Sequence, residues 1–219
     1  MTQMKVALIG DLVASREAGE RAKVHARLAA ALDRVNTDVP AAVPLRVTVG
    51  DEYQGVYDHL GPALQATLRL RLALLPHVDA RHGVGRGSIT VLSEQPRVED
   101  GPAWWSARQA IESVETEERR AALRGLRTAY AAAEDTRQDT GDAGGPDPAA
   151  VNAALTLRDQ LLHGVGPESL SVLAGMLAGM TQKDIAAELG VTASAVSQRV
   201  RRDGLGALVR ADELLGGLR

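Results

Sequence analysis

Leu45-Arg46-Val47-Thr48-Val49-Gly50-Asp51-Glu52-Tyr53-Gln54-Gly55-Val56-Tyr57 holds two runs of alternating character on either side of Gly50-Asp51-Glu52. Alternation sends every second side chain to one face of a strand, and glycine beside acids is turn chemistry, so the stretch predicts a β-hairpin with carboxylates at its tip. Upstream, Lys5-Val6-Ala7-Leu8-Ile9 is a compact apolar run, the pattern of a buried strand whose end delivers Gly10-Asp11. Between strand and hairpin, Val24, Leu28, Ala31, Leu32 and Val35 recur at helical spacing. Downstream, residues 60–75 read as a helix opened by Gly61-Pro62, where the missing proline N–H costs nothing. Residues 81–92 read as a glycine-rich strand or hairpin, with His82 as a loop residue. Gly101-Pro102 then opens a helix to about residue 122, with residues 124–133 as its continuation. The order βαββαβα predicts an α/β fold of the ferredoxin-like kind.

Composition narrows the function. The absence of cysteine excludes disulfides, thiolate zinc sites and cysteine nucleophiles, and fits a reducing cytoplasm. No apolar run approaches the ~18 residues of a membrane span, so a cytoplasmic protein is expected. A net charge of −3 argues against indiscriminate coating of nucleic acid, and any DNA contact must come from a local basic surface. Residues 134–148 turn to Asp, Gly, Thr and Pro, which bury little apolar surface and read as a linker or loop. The expected organisation is therefore a domain over residues 1–133, the linker over 134–148 and a small all-α domain over 149–219.

In that last part, Thr181 is placed to cap a helix over residues 182–189 with Ile185, Ala186 and Leu189 inward. Gly190 follows as a left-handed stop, and Thr192 or Ser194 caps the next helix, which buries Val196 and Val200. That second helix carries no acid before Asp203. Ser194, Ala195, Ser197, Gln198, Arg199, Arg201 and Arg202, with Gln182, Lys183 and Thr192 beside them, are side chains suited to groove edges and phosphates of double-stranded DNA. A helical hairpin used only for packing would need apolar periodicity, but not this placement of Ala186, Gly190 and the paired valines. The stretch resembles the helix-turn-helix of sigma-factor region 4 and of many bacterial regulators. Because one such helix covers few base pairs, a homodimer is expected.

Gly10-Asp11-Leu12-Val13-Ala14-Ser15-Arg16 after the first strand and Val49-Gly50-Asp51-Glu52-Tyr53 at the hairpin resemble the palm of class III nucleotide cyclases and GGDEF diguanylate cyclases. Gly83-Val84-Gly85-Arg86-Gly87 and Gly101-Pro102-Ala103-Trp104-Trp105-Ser106-Ala107-Arg108 resemble further cyclase motifs. The motifs at residues 9–16, 50–54 and 100–111 also resemble those of the SatD family over nearly the full chain. The cyclase resemblance implies a nucleotide ligand with Mg²⁺ held by Asp11 and Asp51, and Glu52, Arg16, Arg86, Trp105 and Arg108 as further nucleotide contacts. The sequence departs from the cyclase pattern at Trp105, where cyclases carry an Asn, and at Val49-Gly50, where GGDEF enzymes carry two glycines. No Lys and Asp pair for purine selection is identifiable. The leading expectation is a DNA-binding transcriptional regulator whose palm binds a nucleotide without efficient turnover. The alternative is an active Mg²⁺-dependent nucleotidyl cyclase or transferase with a regulatory helical tail. Asp11 and Asp51 also have a plainer reading as turn acids.

Overall fold

The computed structural model describes residues 4–13, 21–133 and 145–219, so Arg16 and most of the expected linker lie outside the described residues. The chain runs β1 (Met4–Leu12), α1 (Arg21–Asp38), β2 (Val43–Val47), β3 (Tyr53–Tyr57), α2 (Leu60–Leu74) and β4 (Ala80–Ser88). It continues through a small hairpin, β5 (Thr90–Glu94) with β6 (Arg97–Asp100), into α3 (Pro102–Glu117) and β7 (Thr128–Ala132). The main sheet has the order β2-β3-β1-β4-β7. β3 lies antiparallel between β1 and β2, and β4 flanks β1 on its other side. This is the split βαβ arrangement expected of a ferredoxin-like α/β fold.

Period-two alternation divides β1 between two layers. Val6, Leu8 and Leu12 join Leu28, Leu32, Leu60 and Leu64 of α1 and α2, while Ala7 and Ile9 face Ala103, Ala107 and Ile111 of α3. On β4, Gly83 and Gly85 turn toward α3, and a Cβ at either would lie 2.1 Å from a backbone carbonyl oxygen of that helix. The glycines that made residues 81–92 look irregular therefore serve close helix-on-strand contact.

Residues 124–133 do not continue the helix. α3 ends at Glu117, and Thr128 and Tyr130 point into the core from β7, which pairs parallel with β4. The Ala-rich composition favours helix locally, but an open β4 edge and the burial of Thr128 and Tyr130 outweigh that propensity. His82, expected in a loop, sits fully buried on β4, with Nε2 2.8 Å from the Tyr53 hydroxyl.

Five helices follow: α4 (Pro148–His163), α5 (Pro167–Leu177), α6 (Gln182–Glu188), α7 (Ala193–Arg202) and α8 (Leu205–Gly216). Asp147 caps α4, accepting from the N–H groups of Ala149 and Ala150. Val151 and Leu155 of α4 and Leu215 of α8 enter the same core as α1 and α2. Gly61 and Gly216 let α2 and α8 cross so closely that a Cβ on Gly61 would lie 2.1 Å from the Gly216 carbonyl oxygen. A second core joins Leu162, Leu173, Ile185, Val196, Leu205 and Leu208 with Leu68 of α2. Among the described residues no helix is long and apolar enough to cross a membrane.

Candidate ligand cleft and exposed helix

The C-terminal end of β1 and the β2–β3 hairpin tip bring Asp11, Asp51 and Glu52 to one cleft of about 660 Å³, as their expected pairing requires. Arg21 and His25 of α1, Arg81 of β4 and Glu115 of α3 complete its charged lining. The register of β1 and β4 sets Asp11 directly opposite Arg81, whose Nη1 donates to the two carboxylate oxygens at 3.3 and 3.2 Å. Burial pushes the Asp11 carboxyl up to about 6, against the pull of Arg81 and with the push of Glu115 and Asp51.

A hollow of about 140 Å³ shares Asp11, Glu52 and Glu115 with this cleft and adds Arg108 and Glu112. Arg108 and Glu112 in turn line a more open groove of about 470 Å³ beside Trp104, Trp105, Gln54 and Glu99. The expected contacts Trp105 and Arg108 thus lie along α3, in a continuation of the acidic cleft. Arg86 does not join them. It stands on β4 with His82 and Val84 on the face away from α3, several residues from Arg81, and its guanidinium lies against Gly145. The parity of a β-strand accounts for this: an odd offset from Arg81 reverses the face.

The implied magnesium would have to be held by carboxylates of this cleft. Oxygen-only ligands suit a hard cation, but among the described residues no group of three acidic or histidine side chains is arranged to hold a bare ion. Asp11 is already held by Arg81. Mg²⁺ is usually bound through one or two carboxylates together with phosphate oxygens and water, so Asp11 and Asp51 fit a cation that arrives with a phosphate ligand.

Behind Asp11 runs an alternating row of charges that the sequence reading missed. Arg81 reaches Glu118 (2.9 Å), Glu118 reaches Arg127 (2.8 Å), and Arg127 reaches Asp79 (2.9 Å). Asp79 pairs with Arg71 (2.8 Å), Arg71 with Asp159 (3.1 Å), and Asp159 with Arg158 (2.9 Å). Burial opposes ionisation of Asp79, but the Arg71 and Arg127 guanidiniums hold its carboxyl below the usual range. The row crosses from the cleft to α4. One signal for it was legible: Arg71 stands between Leu70 and Leu72 in a leucine-rich helix.

The expected caps of α6 and α7 are present. Thr181 accepts from the Asp184 N–H and Thr192 from the Ala195 N–H, with Gly190 at φ +65° between the helices. Ile185, Ala186 and Val196 are buried and Val200 packs beside them. Leu189, expected inward, is 38% exposed at the C-cap position just past the end of α6. Ser194, Gln198, Arg201 and Arg202 are exposed, as are Gln182, Lys183 and Thr192, whereas Ala195 and Ser197 are half-buried. Arg199 turns back to Glu168 of α5, and Arg202 pairs with Asp203.

Solved structures similar to the chain include the catalytic core of a rhodopsin-guanylyl cyclase in complex with ATPalphaS, at 16% identity, 51% of this chain, 73% of that one and a TM-score of 0.44. A bacterial light-regulated adenylyl cyclase matches at 13% identity over 59% of this chain and 43% of that one, with a TM-score of 0.46. A regulator of polyketide synthase expression from Bifidobacterium adolescentis matches at 14% identity over 99% of this chain and 86% of that one, with a TM-score of 0.31. No curated protein matches the chain. The SatD family model matches residues 5–125, more than half of the chain, and the protein belongs to the SatD family.

Proposed function

We propose that the protein is a cytoplasmic, homodimeric transcriptional regulator in which α6 and α7 form a DNA-reading helix-turn-helix and the cleft at Asp11 binds a nucleotide effector with Mg²⁺. The observation that carries the DNA reading is α7: a capped helix without acids, packed through Val196 and Val200, that leaves Ser194, Gln198 and Arg201 on one exposed face. Those positions, four and three residues apart, align along the helix as groove contacts must. From residue 167 to the end, Lys and Arg number six and Asp and Glu also number six, so a single unit has little phosphate attraction and two units are needed for useful affinity.

In the palm, Asp11 and Asp51 would hold the cation, Arg21 and His25 would meet phosphate oxygens, and Arg81 would hold Asp11 in place. The cation supplies neutralisation of phosphate charge, which a cleft with this excess of carboxylates needs. The Arg81–Asp11 pairing competes for a carboxylate that would hold the cation, which favours binding over turnover. Contact between α2 and α8, with the charge row to Asp159, gives the ligand a physical route to the DNA-reading helices. Selection of genomic fragments on the full chain tests the DNA reading. A recurring sequence should be retained by wild type and lost by Gln198→Ala with Arg201→Ala; recovery of no sequence above background overturns it.

A further inference from the structure

We infer that the groove between β6 and α3 is a nucleobase subsite selective for guanine, with Glu99 and Trp104 reading the base edge and Trp105 stacking on its face. Glu99 stands on β6 with its side chain 3% exposed. Its Oε1 accepts from Arg97, while Oε2 is buried and has no partner. The indole N–H of Trp104 is likewise buried without an acceptor. Both side chains line the groove. An unpaired buried carboxylate oxygen and an unpaired buried donor each cost stability, and two such groups on side chains that line one hollow point to a ligand that satisfies them once the side chains turn to meet it.

The ligand must present donors to a carboxylate and an acceptor to an N–H. Guanine carries N1–H and its exocyclic amine side by side, with O6 adjacent. Adenine and cytosine would set a ring-nitrogen lone pair against the carboxylate, and uracil, whose N3–H and O4 match guanine's N1–H and O6, would set its O2 carbonyl where guanine carries the amine. Trp105 supplies the stacking surface: it is 60% exposed, and its own N–H is tied to Asp100 at 2.8 Å, so the ring is held in place. This inference rests on the nucleotide reading of the cleft and extends it. The groove meets the acidic cleft through the hollow at Arg108, and residues 105 to 115 of α3 span roughly 15 Å at the helical rise, a distance that an extended nucleoside triphosphate bridges.

The chain contains two tryptophans, and both line this groove, so intrinsic fluorescence reports on it directly. The full chain is titrated with GTP, ATP and UTP in the presence of Mg²⁺, read by tryptophan fluorescence and in parallel by thermal shift. GTP should change the fluorescence and bind at least about tenfold more tightly than ATP or UTP. Glu99→Gln should reduce that preference to within about threefold, and Trp105→Ala, at an exposed position, should weaken GTP by about 5- to 100-fold. Thermal stabilisation by all triphosphates alike, without a fluorescence change or without discrimination by base, overturns the base subsite and leaves the nucleotide reading standing. No stabilisation by any triphosphate overturns both. If Glu99→Gln fails to fold, the base preference of wild type and the Trp105→Ala loss still decide the matter.

Discussion

Asp159→Ala should be among the most damaging single changes in the protein, although the residue lies far from the cleft. Its carboxylate has no solvent exposure and accepts from Arg158, pairs with Arg71, and takes the backbone N–H of Arg127 at 2.9 Å. Truncation leaves Arg71 with Asp79 but strands the Arg158 guanidinium, 3% exposed, with only Thr67, Thr128 and a carbonyl as partners. Breaking a buried ion pair from one side costs about 3–5 kcal/mol, against a total stability of about 5–15 kcal/mol for a typical domain. With a urea m-value of about 3 kcal/mol/M, the midpoint should fall by at least about 1 M. Urea titration followed by circular dichroism measures this. The double variant Arg158→Met with Asp159→Leu removes both charges together and should lose markedly less than the single change. A single-variant loss under about 1 kcal/mol, or a double variant as damaged as the single, would refute the argument that stranded charge sets the cost.

Other outcomes follow from the same physics. Asp11 has a folded-state pKa raised to about 6, so the folded state holds its proton more tightly than the unfolded state, and this residue's contribution to stability falls as pH rises from about 4 to 6. Asp11→Asn should therefore raise the melting temperature at pH 8 and lose that advantage near pH 4; an advantage that persists at pH 4 would show another cause. His82 acts in the opposite sense: burial holds its imidazole down to about 3, so stability drains away as pH falls below 6.5, and His82→Gln should flatten that acid limb of the melting curve. Arg201→Ala should weaken operator binding and lower the salt slope by about one, whereas Arg199→Ala, which breaks a contact with Glu168, should act on thermal stability before DNA affinity. Gly61→Val should force α8 off α2, seen as faster proteolysis within the last helix.

Much of this was readable from residue patterns. The hairpin tip, the end of β1 and the caps Thr181 and Thr192 follow from local chemistry, and local chemistry is what a sequence displays. Asp11, Asp51 and Glu52 meet because the hairpin lies beside β1, an adjacency that the βαββ order implies. The partner of Asp11 was not readable, since Arg81 becomes its neighbour only through strand register. Arg86 was misread for the same reason, because one strand serves two layers and parity decides which. β7 was hidden by an alanine-rich run whose preference is helical until an open sheet edge is available. α8 escaped notice because its leucines match a surface of α2 that only the folded chain presents. Glu99 carries no local signal in the sequence, and only its burial distinguishes it.

If the protein is a nucleotide-responsive regulator, ligand occupancy at the cleft alters DNA binding by α7. The affinity of the full chain for its selected DNA sequence, measured by fluorescence anisotropy with and without saturating Mg²⁺-nucleotide, decides this. A change of about 5- to 150-fold in either direction is expected, abolished by Asp11→Ala while binding without nucleotide is retained. Affinity unchanged by a nucleotide that demonstrably occupies the cleft would contradict it.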